Sequence, residues 1–219
     1  MGIIDLSQTL GDGVKTYKTI PAIHVCDYLS RKESRNHYAE GTEFQLDDIK
    51  LVGNSGTYID SPFHRYADGK DLASLALSST INLEAIVIRA PHLNECTPVG
   101  LEAFEGKQLT GKAILIDTGW SKKFGTENYF EQHPFVTEEA ANYLLAQDVA
   151  LVGIDSHNID DTRGNTRPVH TILLGAEIPI VEHLTNLSAL PDQGFRFFAA
   201  PIKFKGVGTF PTRAFAIIE

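Results

Sequence analysis

Short, continuous runs of aliphatic residues recur along the chain and predict its framework. The strongest runs lie at residues 85–90, 113–118, 149–154 and 178–181. Runs of this kind, rich in Ile, Leu, Val and Ala, are typical of strands that are buried on both faces of a sheet. Weaker apolar segments at residues 3–6, 44–52, 195–204 and 213–218 predict further strands.

Helical signals are few. Thr137 is a good helix N-cap followed by two glutamates, and this pattern predicts a helix that runs to about Gln147. Residues 99–105 predict a short helix that ends at Gly106, and residues 170–175 predict a helical or turn connection. Together with the strands, these segments predict an α/β chain that is rich in strands and has short helices.

Two segments outside this framework have a polar or irregular pattern. Residues 17–37 contain Pro21 and a charged patch at 30–35, which favours an exposed hairpin or arm with a solvated face. Residues 206–211 contain Gly206 and Gly208 between two predicted strands. Because this pair is too short for a phosphate-binding fingerprint, it predicts a hairpin turn.

Composition narrows the class of protein. With 219 residues, 42% hydrophobic and 21% charged, the chain fits one globular domain over residues 1–219. The formal charge of −9 argues against a nucleic-acid partner, because phosphate binding requires clustered Lys and Arg. The two cysteines, Cys26 and Cys96, predict free thiols in a reducing compartment. The chain also shows neither a signal peptide nor an apolar run of about 18 residues, which predicts a cytoplasmic protein without a membrane partner.

The stretch from Asn54 to His64 carries the strongest chemical signal. It reads Asn-Ser-Gly-Thr-Tyr-Ile-Asp-Ser-Pro-Phe-His. Gly56 permits backbone conformations that other residues avoid, and Pro62 fixes its own φ angle, so Asp60 and His64 are predicted to lie on a stiff turn. A carboxylate and an imidazole held in this way can bind a metal ion or transfer a proton.

This stretch resembles the signature of the cyclase family of metal-dependent hydrolases, which includes bacterial kynurenine formamidase. The family pattern is His-x-Gly-Thr-His-x-Asp-x-Pro-x-His, and here Asn54 and Tyr58 replace its first two histidines. The resemblance continues at residues 4–7, 116–120, 152–155, 170–174 and 180–187. It implies a single domain with a swivelling β/β/α fold, and assembly into a homodimer or homotetramer.

The resemblance also implies a set of site residues. Asp60, His170 and Glu182 would bind one divalent ion, zinc or manganese. His64 would act with Asp60 as the catalytic acid or base. In the implied mechanism, the metal lowers the pKa of a water molecule that then attacks a carbonyl group of a small-molecule substrate.

Other residues are candidates for a missing ligand or for substrate contact. Asn54 offers an amide oxygen, whereas Tyr58, with an ordinary pKa of about 10, would need strong help to bind as a phenolate. His157 follows a predicted strand and could serve as a ligand or contact substrate or water. His183 adjoins Glu182 in an apparently extended segment, so its side chain is predicted to point to the opposite face.

Three functions are consistent with these residues. The first is a metal-dependent hydrolase that cleaves an amide, lactam or ester bond in a small, aromatic or cyclic metabolite. The second is a metal-free relative that binds a metabolite or regulates a partner, as the residues at Asn54 and Tyr58 suggest. The third is a metal-independent lyase or isomerase in which Asp60 and His64 act as the acid and base.

Overall fold

The computed structural model describes residues 1–90 and 97–218. Its thirteen described strands form one nine-stranded sheet and two sheets of two strands. In chain order the strands are β1 (Gly2–Asp5), β2 (His24–Leu29), β3 (Leu46–Lys50), β4 (Tyr58–Asp60), β5 (Leu83–Arg89), β6 (Pro98–Val99), β7 (Ala113–Asp117), β8 (Phe135–Val136), β9 (Leu151–Ile154), β10 (Ile180–Glu182), β11 (Gln193–Phe198), β12 (Thr209–Pro211) and β13 (Phe215–Ile218).

The large sheet has the strand order β1-β13-β11-β5-β7-β9-β10-β4-β12. Its centre, from β5 to β10, is parallel, and the strands on both sides pair antiparallel. Alternate residues of β5 enter two different cores, with Ile86 and Ile88 on one face and Ala85 and Val87 on the other. Burial on both faces explains why these strands have continuous apolar sequences. The predicted strand-rich α/β fold is confirmed.

Three described α-helices complete the fold. They are α1 (Arg31–Ser34), α2 (Glu138–Ala146) and α3 (Pro168–Gly175). Thr137 caps α2 as predicted, since its hydroxyl oxygen accepts a hydrogen bond from the backbone N–H of Ala140 at 3.1 Å. The predicted helix at residues 99–105 is only a 3-10 turn, Leu101–Ala103, that follows the short strand β6.

Strands β2 and β3 form a separate antiparallel hairpin in which His24 pairs with Lys50 and Leu29 with Leu46. Most of its residues are exposed. The exposed segment therefore begins near His24 and extends past residue 37. Tyr17, which the sequence placed in this arm, instead reaches the buried polar cluster described below.

Three further expectations can be compared with the structure. Gly206 lies in a turn, as predicted, but Gly208 leads into β12, a strand that was not predicted and that pairs with β4. Cys26 is an exposed free thiol, whereas Cys96 lies outside the described residues. Within residues 1–90 and 97–218, no helix has the length and apolar character that crossing a membrane requires.

Candidate active site

The register of three strands brings the buried polar residues together. Strand β4 lies between β10 and β12, with Glu182 directly opposite Tyr58 and Thr209 directly opposite Asp60. Opposite residues of paired strands share a face, as do residues two apart in one strand. All four side chains therefore lie on the same face of the sheet, and all four are buried.

The turn after β4 places His64 beside Asp60. Gly56, just before β4, has a φ angle of +63°, and a Cβ atom there would lie 2.3 Å from the side chain of Leu10. Pro62 begins a 3-10 helix, Pro62–His64, that folds the chain back on itself. As a result, Nε2 of His64 lies 3.9 Å from Oδ1 of Asp60. Gly56 adopts the left-handed conformation that glycine permits, and Pro62 begins the turn that carries His64, whereas Asp60 lies on β4 instead of on the predicted turn.

His170 reaches the same place from α3. Asp160 caps the first turn of α3, because its carboxylate accepts hydrogen bonds from the backbone N–H groups of Val169 at 2.8 Å and His170 at 3.1 Å. The same carboxylate accepts a bond from Nδ1 of the His170 ring at 2.6 Å. Nε2 of His170 then lies 3.6 Å from Asp60 Oδ2 and 3.7 Å from Glu182 Oε1.

The cluster carries an excess of negative charge. Burial disfavours the charged form of His170, but its hydrogen bond to Asp160 and the nearby carboxylates of Asp60 and Glu182 raise its pKa to about 10. Burial, together with the nearby charge of Asp60, raises the pKa of Glu182. The carboxylates therefore favour a positive charge at the point where they converge, whether a proton or a metal ion.

The donor atoms suit a metal ion. One ligand atom each from Asp60, His64 and His170 lies within 4.8 Å of the others. Oδ2 of Asp60 is buried and has no hydrogen-bond partner within the described part of the chain. An unpartnered buried carboxylate oxygen is costly unless a cation compensates it. A set of imidazole nitrogens and carboxylate oxygens fits zinc or manganese, and Glu182 offers a further oxygen.

Thr209 fixes the tautomer of His64. The hydroxyl of Thr209 donates to Oδ1 of Asp60, and its oxygen lies 2.7 Å from Nδ1 of His64. Because the single hydroxyl proton points to Asp60, Nδ1 of His64 must be the donor in the second bond. In the neutral ring, Nε2 then carries the lone pair, so this nitrogen can accept a proton or bind a metal ion.

Tyr58 is a hydrogen-bond donor to the cluster. Its hydroxyl donates to Oε2 of Glu182. The same hydroxyl lies 2.7 Å from the hydroxyl of Tyr17, and Nδ2 of Asn158 donates to the Tyr17 oxygen at 3.1 Å. Burial and the charge of Glu182 raise the pKa of Tyr58 well above its ordinary value. Tyr58 is therefore a neutral phenol, and a phenolate ligand is disfavoured. Asn54 lies nearby on the wall of a cavity.

The two remaining candidate histidines lie next to this cluster. His157 is buried, its ring centroid is 4.3 Å from that of Tyr17, and burial lowers its pKa to about 3. The prediction that His183 points to the opposite face is wrong. Strand β10 ends at Glu182 and His183 has a φ angle of +58°, which breaks the alternation of a strand. Its ring is 5.1 Å from that of Tyr58, and its Nδ1 lies 2.7 Å from the hydroxyl of Tyr129.

The structure thus brings together Asp60, His64, His170 and Glu182, and adds residues that the sequence analysis missed. Thr209 lies on a strand that was not predicted, and Tyr17 lies in a segment that was interpreted as an exposed arm. Asp160 had no local signal, because Arg167 occupies the N-cap position of α3 and Asp160 reaches the N–H groups of that helix only through the fold.

The chain is similar to several known proteins. The model of the Cyclase family, described as "Putative cyclase", matches residues 4–161. Kynurenine formamidase of Geobacillus thermodenitrificans is 27% identical over 96% of this chain and 95% of its own. Isatin hydrolase of Roseibium aggregatum is 27% identical over 82% of this chain and 77% of its own. A crystal structure of an isatin hydrolase bound to the product analogue thioisatinate superposes with a TM-score of 0.84 at 21% identity, covering 98% of this chain and 91% of that chain.

Proposed function

Since the chain belongs to the Cyclase family of hydrolases, we propose that it is a metal-dependent enzyme that cleaves an amide, lactam or ester bond in a small aromatic or cyclic metabolite. The observation that carries the proposal is the convergence of Asp60, His64 and His170, together with the unpartnered Oδ2 of Asp60. Relatives named kynurenine formamidase and isatin hydrolase support an amide or lactam as the bond that is cleaved.

The proposed cofactor is a single divalent ion, zinc or manganese. Asp60, His170 and Glu182 would hold it, which leaves His64 for proton transfer. One ion rather than two follows from the positions of Asn54 and Tyr58, because the Tyr58 hydroxyl already occupies one oxygen of Glu182. When bound, such an ion supplies Lewis acidity that lowers the pKa of water and polarises a carbonyl group.

His64 is the residue proposed to move the proton. Its side chain is 35% exposed, whereas Asp60 and His170 are buried, so His64 is the member of the cluster that a substrate or water molecule can reach. The hydroxyl of Thr209 holds its Nδ1, which leaves Nε2 free to take a proton from water and return it to a leaving amine. Asp60 accepts a hydrogen bond from the hydroxyl of Thr209 and so fixes the direction of that hydroxyl toward Asp60.

Metal content and activity test the proposal together. Purified protein is expected to contain about one zinc or manganese per chain by elemental analysis, and to hydrolyse an N-formyl anilide or a lactam in a way that chelation abolishes and metal restores. Asp60→Asn should lose both metal and activity, whereas Asp68→Asn, which changes an exposed aspartate eight residues away, should lose neither. Protein without metal and without chelator-sensitive turnover would contradict the proposal.

A second candidate function is a metal-free metabolite-binding relative. The bond from Tyr58 to Glu182 favours it, because a phenol satisfies that carboxylate without a cation. A metal-independent acid and base pair of Asp60 and His64 is the third possibility. Turnover that resists chelation but is lost in His64→Ala would favour this third function, and metal-free protein without turnover would favour the second.

The hairpin of β2 and β3 is proposed to bind a second copy of the chain, giving a dimer or tetramer. Tyr28 is 77% exposed and Ile49 is 57% exposed, which is unusual for large apolar side chains on one hairpin. Light scattering is expected to give a multiple of the 24.1 kDa chain mass, reduced by Tyr28→Asp with Ile49→Asp. Leu77→Asp, at an exposed site elsewhere, is the matched control. A monomeric wild-type protein would refute this assembly.

A further inference from the structure

A cavity of about 420 Å³ opens beside the candidate active site. Tyr17, Asn54, His157, Asn158 and Arg167 contribute to its wall. This volume lies within the ~300–1,000 Å³ range of small-molecule sites. The residues that line it include one cation and two amide side chains, and none of them is a carboxylate.

The cavity is connected to the catalytic cluster through its own wall. Nδ2 of Asn158 donates to the hydroxyl of Tyr17 at 3.1 Å and lies 3.5 Å from Oε2 of Glu182. The other oxygen of Glu182 lies 3.7 Å from Nε2 of His170. A molecule in the cavity is therefore one side chain away from the residues that would perform the reaction.

Arg167 is held in the wall by backbone groups. Its Nη1 donates to the carbonyl oxygens of Asp161 at 3.3 Å, Gly164 at 2.9 Å and Thr166 at 2.6 Å. The nearby carboxylate of Asp161 instead binds Arg163, with Nη2 of Arg163 2.7 Å from Oδ2. Across residues 1–90 and 97–218, no carboxylate forms an ion pair with Arg167.

This arrangement is unusual for a chain of net charge −9. A half-buried guanidinium without a counter-ion is positioned for an anion, and its planar N–H groups match a carboxylate. A second residue in the same wall has an unpartnered polar atom. His157 is buried and its Nδ1 has no hydrogen-bond partner in the described part of the chain.

We propose that Arg167 binds a carboxylate of the substrate, and that this chain therefore acts on an aromatic amide that carries an acidic group. The inference rests on the proposed hydrolytic function, because it assigns the cavity to the substrate of that reaction. In this arrangement the substrate carboxylate binds Arg167, and the aromatic ring of the substrate lies beside Tyr17 and His157. The bond to be cleaved then faces Glu182 and His170. Arg167 is thus a specificity-determining residue.

Binding of a matched pair of compounds tests this assignment without any need for turnover. 2-Aminobenzoate and 2-aminobenzamide have nearly the same shape and differ in charge. Calorimetric titration of the purified protein should show tighter binding of the benzoate. Arg167→Gln should weaken the benzoate about 10- to 150-fold, the range expected for loss of charge-assisted hydrogen bonds, and leave the benzamide nearly unchanged. Arg163→Gln, four residues away, should bind both compounds as the wild type does.

Several outcomes would overturn the assignment: no preference for the benzoate in the wild-type protein, binding of neither compound, equal weakening of both compounds in Arg167→Gln, or the same loss in Arg163→Gln. Circular dichroism of each variant shows whether it is folded. Failure of the hydrolytic function is a separate result. Preferential binding of the benzoate by protein without metal or turnover would support the carboxylate site and contradict the hydrolytic function. Turnover by protein that binds both compounds equally would support the hydrolytic function and contradict the carboxylate site.

Discussion

Gly208 is the residue whose substitution should most specifically displace the proposed proton carrier. It precedes β12, and its backbone packs directly on the turn that carries His64. A Cβ atom at Gly208 would lie 2.5 Å from the backbone nitrogen of His64, 2.7 Å from its Cα atom and 2.9 Å from the carbonyl carbon of Phe63. These are main-chain atoms, so no side-chain rotation can relieve the contact.

The size of the displacement follows from these distances. Non-bonded carbon atoms pack best at about 3.5 Å, so Gly208→Ala must separate the two segments by roughly 1 Å. Strand β12 is held on β4 by its pairing, and both the N–H and the hydroxyl of Ser61 donate to the carbonyl oxygen of Gly208. The turn that carries His64 must therefore move. A shift of this size costs about 100-fold in rate, and overpacking costs about 1–3 kcal/mol of unfolding free energy.

Steady-state kinetics and urea unfolding measure these two effects separately. Gly208→Ala is expected to lower kcat/KM about 100-fold in protein that remains folded. Gly11→Ala is the matched control, because a Cβ atom there meets nothing within 4 Å and the residue has no left-handed backbone conformation. Folded Gly208→Ala protein with kcat/KM within a factor of about two of the wild type would refute the role assigned to His64 and its turn.

Three further predictions follow from the cluster and its surroundings. Asp160→Asn should weaken metal binding by about 10- to 100-fold in competition with a coloured chelator, because Asp160 orients His170, whereas Asp161→Asn should not. Asn54→His combined with Tyr58→His should raise the metal content from one ion to two per chain; elemental analysis that still gives one ion would contradict this. Burial raises the pKa of Asp155 to about 6, so the folded state holds its proton more tightly than the unfolded state does. The stability that this group contributes is therefore lost as pH rises from about 4 to 6. Relative to Asp155→Asn, the wild type should lose up to about 3 kcal/mol over that range in urea unfolding, and parallel curves would contradict the assignment.

The parts of the fold that sequence could predict are those with a local physical cause. Residues 113–118 are recognisable as a buried strand because both of their faces meet a core, and Pro62 fixes its own φ angle at the start of a 3-10 turn. Strand β12 has no such signal. It has three residues, ends in Pro211 and follows two glycines, and it exists because β4 offers an open edge. Thr209 belongs to the site only through that pairing, so its role could not be found from its neighbours in sequence.

Asn54 and Tyr58 stand where the family pattern has histidines. From the balance of buried charges, we expect this replacement to reduce the number of bound ions but not to remove the need for one. Asp60, Asp160 and Glu182 are all fully buried, and His170 contacts each of them. One imidazolium cannot neutralise three carboxylates. Replacing two histidines by an amide and a phenol removes ligand nitrogens but no negative charge, and the Tyr58 hydroxyl stabilises only one oxygen of Glu182. The unpartnered Oδ2 of Asp60 remains, and a divalent cation bound by Asp60 and a neutral His170 ring would offset one more negative charge than the imidazolium does.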